Sequence, residues 1–259
     1  MYSLLVFVVG SIWLIACATL PLLGLVGLSD NALIAYSNTV QVTSTIVTAG
    51  LCLRAALVFD RGERMGKVWM LMGAGVLAWG VGAMLYAGYQ FSHEMEDPSF
   101  PWFSDIGYLG IGPLVIASLY LFIREMQVRI PIWGIAVAAM VFLGSLGYGI
   151  WNNLESFTGE EATLLNSLAL GLYVIFDPAL LAMTVVSASL LAGGLVARPW
   201  WMTLAGLLFF FVGNRIYERM LANETYTNAS WVNMSWPASF GLIAIGAMLT
   251  YNMFKQFEK

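Results

Sequence analysis

Charge is what this chain has least of. Only 10% of its 259 residues are Asp, Glu, Lys or Arg, against about 25% in an ordinary soluble domain. With 60% hydrophobic residues and a mean hydropathy of +0.80, it cannot cover a water-facing surface. No polar segment of domain size remains, so a soluble globular protein is excluded. The single histidine, His93, excludes two-histidine haem ligation inside a bilayer. No lysine lies within an apolar run except near the final basic end, which removes a retinal-type Schiff base. Cys17 and Cys52 sit in separate apolar runs and read as small buried groups rather than a disulfide. There is no paired-cysteine motif, no HExxH and no phosphate-binding glycine loop. No cofactor, no metal and no nucleic-acid partner is therefore expected.

What is present is a series of apolar runs, each long enough for the about 20 helical residues that cross a bilayer. They predict eight spans, near 3–27, 33–58, 68–91, 105–124, 131–152, 164–191, 200–221 and 235–254. The fold class is thus all-α, a polytopic membrane bundle of eight transmembrane helices forming one integral domain over 1–259. The second run opens softly with Ser, Thr and Gln, but bilayer hydrocarbon requires internal backbone pairing, so helix is still expected. "LIAC" at 14–17 has the look of a lipoprotein processing box, yet "MYS" supplies no basic leader and the apolar run continues to Leu28. A retained first span is expected.

Nine of the eleven basic residues fall on one side of these spans: Arg54, Arg61, Arg64, Lys67, Arg124, Arg129, Arg198, Lys255 and Lys259. The opposite loops carry Asp30, Glu94, Glu96, Asp97, Glu155, Glu160, Glu161 and Glu224. By the positive-inside rule both termini are cytoplasmic and the acidic loops face outward in a cell membrane. The chain also matches itself at an offset of 131 residues: Gly82 with Gly213, Tyr86 with Tyr217, Gly110 with Gly241. Shifted span starts coincide too, so 1–130 and 131–259 read as two four-helix repeats of the same orientation. Chance alignment of apolar helices rich in Gly, Leu and Tyr is the alternative.

A few polar residues stand where apolar ones would be cheaper. Asp177 lies midway along "LALGLYVIFDPALLAMTVV", where a carboxyl costs at least a few kcal/mol unless it is neutral or paired. Pro178 follows and removes a backbone donor. Arg215 is the natural counter-charge, and Glu218, three residues on, shares its helix face. With Asn214 they form a polar seam, either a structural salt bridge or part of a ligand pocket. Asp105 opens the fourth span and suits the positive end of a helix dipole. Near it Tyr108, Trp102, Tyr86 and Tyr89 form either an interfacial aromatic belt or the wall of an outward-facing pocket. "NETYTNASWVNMS" holds three N-glycosylation triplets, at Asn223, Asn228 and Asn233, all on the outer side.

The order of motifs resembles the multi-helix membrane-sensor region found ahead of diguanylate cyclase, phosphodiesterase or histidine kinase domains in prokaryotic signalling proteins. "WGVGAMLYAGYQ" is similar to that family's Trp–Gly-rich third span with an outer tyrosine. "PWFSDIGYLGIGPL" matches its fourth-span start through Pro101, Asp105, Tyr108, Leu109, Pro113 and Leu114, with Trp102 in place of a serine. "YVIFDPALL" supplies Tyr173, Asp177 and Pro178, and "NRIY" has Asn214 where the family has aspartate. The resemblance implies a sensing or relay platform, and its output is expected to pass to another protein. The leading expectation is a non-enzymatic membrane protein, either a sensor-like module or a subunit of an assembly. Its basic loops "DRGERMGK" and "REMQVR" would meet anionic lipid or a membrane or cytoplasmic protein partner. The alternatives are a small-solute or proton-coupled transporter built on Asp177 and Arg215, and a membrane enzyme using Glu94, Asp97 and Asp105 as hard oxygen ligands. The position matching Asp177 in the first half is the apolar Ile46, which offers transport no second charge.

Overall fold

The computed structural model describes residues 2–159, 163–191 and 197–257. Glu160, Glu161 and Lys259 lie outside the described residues. Among those described the chain is all-α. Eight long helices form: α1 (Tyr2–Leu25), α2 (Asp30–Ala56), α3 (Arg64–Ser92), α4 (Phe103–Met126), α5 (Ile132–Asn152), α7 (Leu164–Ser189), α8 (Ala197–Ala222) and α9 (Ser235–Phe257). A one-turn helix α6 (Leu154–Thr158) and a 3-10 turn (Trp231–Met234) cap one end. Six of the long helices, α1, α3, α4, α5, α7 and α9, are long and apolar enough to cross a membrane. The multi-span membrane architecture stands on these six, fewer than the expected eight. α2 and α8 are long but more polar: α2 carries a polar face, and α8 gathers Asn214, Arg215, Glu218 and Arg219 toward one end.

That polarity has a place in the fold. On α2, Ser37, Asn38, Gln41, Ser44, Thr45 and Thr48 are all buried. Their spacing of three and four residues puts them on one helical face. The other face shows Ile46, Val47 and Leu53 to the outside. The helix thus turns most of its polar side chains inward and shows a largely apolar outer face, on which exposed Thr39 bonds its own helix. Ser44 and Thr45 donate to their own helix, and Thr48 donates to the Phe240 carbonyl of α9.

Six helices close into a ring in the order α2, α3, α4, α7, α8, α9, with α9 returning to α2. α1 lies outside against α9 and α2, and α5 lies outside against α7. α1 is held by Trp13 Nε1 donating to Pro237 O (2.6 Å) and Tyr36 OH donating to Ala16 O (2.7 Å). The most extensive contact joins α3 to α4. A Cβ on Gly82 would lie 2.6 Å from Ser104 O, and one on Gly107 would strike the Gly82 backbone, so the two helices cross backbone to backbone. At the 131-residue offset, Gly213 of α8 is pressed against the side chain of Ser235 of α9. Trp79 and Phe210, again 131 apart, meet edge to face across the ring at 6.5 Å.

One half of the ring is filled. Trp69, Trp200 and Phe122 stack there, with Trp69–Trp200 at 5.1 Å and Phe122–Trp200 at 3.9 Å. Met72, Val115, Leu119, Leu207 and Ile243 complete a dry core. Arg64 pairs with Glu125 at 3.0 Å, and Arg54 lies over Tyr251, so this is the basic end. The other half, toward the acidic loops, is hollow.

Candidate ligand-binding site

A cavity of about 850 Å³ runs from the acidic loops down to the middle of the ring. Its deep wall is made by residues near the midpoints of their helices: Gln41 on α2, Trp79 on α3, Gly112 on α4, Asp177 on α7 and Phe210 on α8. Trp79 holds the bottom by meeting Phe240 at 5.0 Å, Trp236 at 5.8 Å and Phe210. The rim comes from the α3–α4 loop (Asp97 to Phe100), from α6 and from the segment before α9.

Asp177 accepts two hydrogen bonds on the same oxygen, Oδ2: from Arg215 at 2.7 Å and from Asn214 Nδ2 at 3.0 Å. Arg215 also donates to Glu218 at 2.5 Å. Two carboxylates thus share one guanidinium, which stacks toward Phe211 on the outer side of α8. Asn214 is fixed from both ends, since Trp236 Nε1 can only donate and gives its proton to Asn214 Oδ1 at 2.8 Å. The seam therefore reads Trp236, Asn214, Asp177, Arg215, Glu218. Asp177, Asn214 and Glu218 line the cavity, whereas Arg215 stands behind the wall.

Asp105 has two roles. Its Oδ2 accepts from the Trp102 backbone N–H (2.8 Å), returning a bond to the residue that precedes α4. Its Oδ1 accepts from Tyr173 OH of α7 at 2.7 Å. A third carboxylate reaches in from the loop. Asp97 Oδ1 accepts from Tyr86 OH (2.6 Å), Gln90 Nε2 (2.9 Å) and Asn228 Nδ2 (2.6 Å). Fully buried Gln90 passes the order inward, its Oε1 accepting from Asn38 Nδ2 at 2.7 Å. Tyr226 bridges Asn228 and Asn233, and burial pushes its hydroxyl above the usual tyrosine range.

Asp105, Tyr108, Asp177, Asn214, Glu218, Tyr86 and Trp102 are thus brought to one cavity. Tyr89 is not on its wall; it stacks on His93 at 4.0 Å and supports Trp102 from outside. Of the three sequons, Asn223 is exposed, Asn228 is tied to Asp97, and Asn233 is buried with its amide donating to Asn228 O. Glu94 lies exposed on the loop, and no group of three His, Cys, Asp or Glu side chains that could hold a metal ion forms among the described residues. Sequence reasoning missed Asn38, Gln41, Gln90, Tyr226 and Trp236. The polar face of α2 was the signal for the first two; a glutamine or tryptophan near a helix end carries none.

These elements define a class: a helical multi-span membrane protein with a polar, aromatic-walled cavity enclosed by its ring. Compared with protein-family models, curated proteins and solved structures, the chain matches none.

Proposed function

We propose that this chain is a receptor-like membrane module that binds a small molecule from the acidic, outward side and relays its occupancy to a partner at the basic, cytoplasmic side. The observation that carries this reading is the blind end of the cavity. A wall of aromatic and carboxylate groups reaches mid-depth, and the Trp69–Trp200–Phe122 stack fills the ring beneath it. Small-molecule sites are concave, largely apolar and carry a few placed polar groups. A filled half supports holding a ligand over passing one through. In this reading all eight long helices span the bilayer, α2 tolerated because its polar face turns inward and α8 because its charges gather in its outer third and are paired there, and both termini are cytoplasmic. The equivalent Gly82–Ser104 and Gly213–Ser235 contacts support a duplicated four-helix origin for the ring. The motif resemblance to prokaryotic membrane-sensor regions points the same way.

The test is accessibility. Ile111 lines the cavity near mid-depth and is 4% exposed. In a Cys17→Ala, Cys52→Ala background, Ile111→Cys is expected to react with a membrane-impermeant methanethiosulfonate added from the acidic side, and not from the basic side. Reaction from neither side, in protein that remains monodisperse, would remove the binding reading. Reaction from both would favour a passage.

A further inference from the structure

Four polar side chains on the cavity wall keep an acceptor oxygen unused. Both donors to Asp177 go to Oδ2, so among the described residues Oδ1 has no hydrogen-bond partner. Glu218 uses Oε1 for Arg215, and its Oε2 is buried without a partner. Asn38 is 9% exposed and its orientation is fixed at a distance. Asp97 can only accept, so Gln90 must turn its nitrogen outward and its oxygen to Asn38. Asn38 then spends its nitrogen and keeps Oδ1 free. Gln41, 8% exposed and on the same wall, donates to Ser37 and keeps its oxygen free. Each of these four residues faces the cavity.

Charge agrees with this count. The wall holds Asp97, Asp105, Glu155, Asp177 and Glu218, and among the described residues no Lys, Arg or His. Arg215, the guanidinium paired to the wall, is shared by two carboxylates and lies outside it. Between the carboxylates stand aromatic faces, among them Trp79, Tyr108, Tyr173 and Phe176. An aromatic face attracts a cation through its quadrupole. Free acceptors, excess carboxylate and aromatic walls share one complement: a cation with N–H donors on a small apolar body.

We infer that the cavity takes a small protonated organic amine, its ammonium directed to Asp177 Oδ1 and the Asn38 and Gln41 oxygens, its apolar part against the aromatic wall. This rests on the binding reading above and specifies its ligand class. An anionic ligand would meet the Tyr108 and Tyr217 hydroxyls and the Trp79 N–H as donors, but would be repelled by five wall carboxylates. A neutral one could donate to an oxygen but would leave the excess carboxylate charge of the wall uncompensated.

The experiment measures protection of Ile111→Cys in the Cys17→Ala, Cys52→Ala protein, reconstituted in nanodiscs, against the neutral reagent hydroxyethyl methanethiosulfonate. Three probes of similar shape compete: phenethylammonium, 2-phenylethanol and 3-phenylpropionate. The expected result is saturable protection by phenethylammonium, half-complete at a concentration at least tenfold below that of the other two. Asp177→Asn and, separately, Asn38→Ala should each raise its half-protection concentration severalfold. Asn38→Ala keeps the ion-paired seam intact, so it serves where Asp177→Asn fails to fold. Equal or stronger protection by the alcohol or the carboxylate would overturn the amine assignment and leave the cavity reading standing. Labelling with no protection by any probe would also overturn it. No labelling at all would instead strike the binding reading on which the inference rests.

Discussion

Replacing Arg215 by leucine takes the only guanidinium from two carboxylates. Asp177 is 12% exposed and Arg215 16%, so bulk water can do little to compensate. Breaking a buried pair by removing one partner costs about 3–5 kcal/mol. Two effects reduce this: Asn214 still donates to Asp177, and a carboxyl deprived of its cation can take up a proton instead of staying charged. The expected loss is therefore about 2–4 kcal/mol. In a chain of this length that corresponds to a fall of roughly 4–15 °C in apparent unfolding temperature. The assay is thermal unfolding in mild detergent followed by size-exclusion recovery, with Arg198→Leu as the control. Arg198 is exposed at the start of α8 and should cost within about 0.5 kcal/mol. A cycle isolates the cause: in an Asp177→Asn, Glu218→Gln background, Arg215→Leu should be much less destabilising. If Arg215→Leu behaves like Arg198→Leu, or if the neutralised background gives no relief, the charge argument is wrong.

Other outcomes follow from the same geometry. Gly107→Ala puts a methyl into the backbone of α3 at Gly82, with no flexible side chain to yield, so it should lower the recovery of folded protein far more than Gly144→Ala, whose Cβ meets nothing within 4 Å. Asn214→Asp sets a carboxylate against Asp177 and loses the amide donor; it should lower thermal stability by at least 1 kcal/mol, whereas Asn214→Ala should be milder if repulsion dominates. Expressed in a glycosylating host, the protein should carry sugar at exposed Asn223, seen as a mass shift abolished by Asn223→Gln. Asn233→Gln should leave that shift unchanged, because Asn233 is 3% exposed.

The eight long helices fall within about one turn of the eight apolar runs, since in a chain this apolar the few polar clusters must lie at the ends. Arg64 and Ser92 bound α3 where 68–91 was expected, and Phe103 and Met126 bound α4 where 105–124 was expected. A mid-run Asp177 is legible for a similar reason: its cost in hydrocarbon is independent of context. Nothing local indicates that Asp97, a loop aspartate before a proline, folds back onto Tyr86, Gln90 and Asn228. Those contacts span from 7 to 131 residues and arise only when the ring closes. Arg215 was legible as a partner for Asp177 but not as a residue behind the wall, because helix rotation is set by neighbouring helices, which no spacing within α8 reveals.

The tryptophan and phenylalanine stack beneath the cavity has an electrical consequence. Moving one elementary charge through the whole membrane potential is worth about 2.3 kcal/mol per 100 mV. Voltage falls across material that excludes mobile charge, and in this bundle that material is the filled half, from Trp79 down through Trp69, Phe122 and Trp200. A polar vestibule open to the acidic side brings the potential of that side down to the level of Asp177. A cation seated there would have crossed little of the field despite lying at mid-depth. Most of the voltage drop would instead fall on the dry half between the cavity and the basic loops.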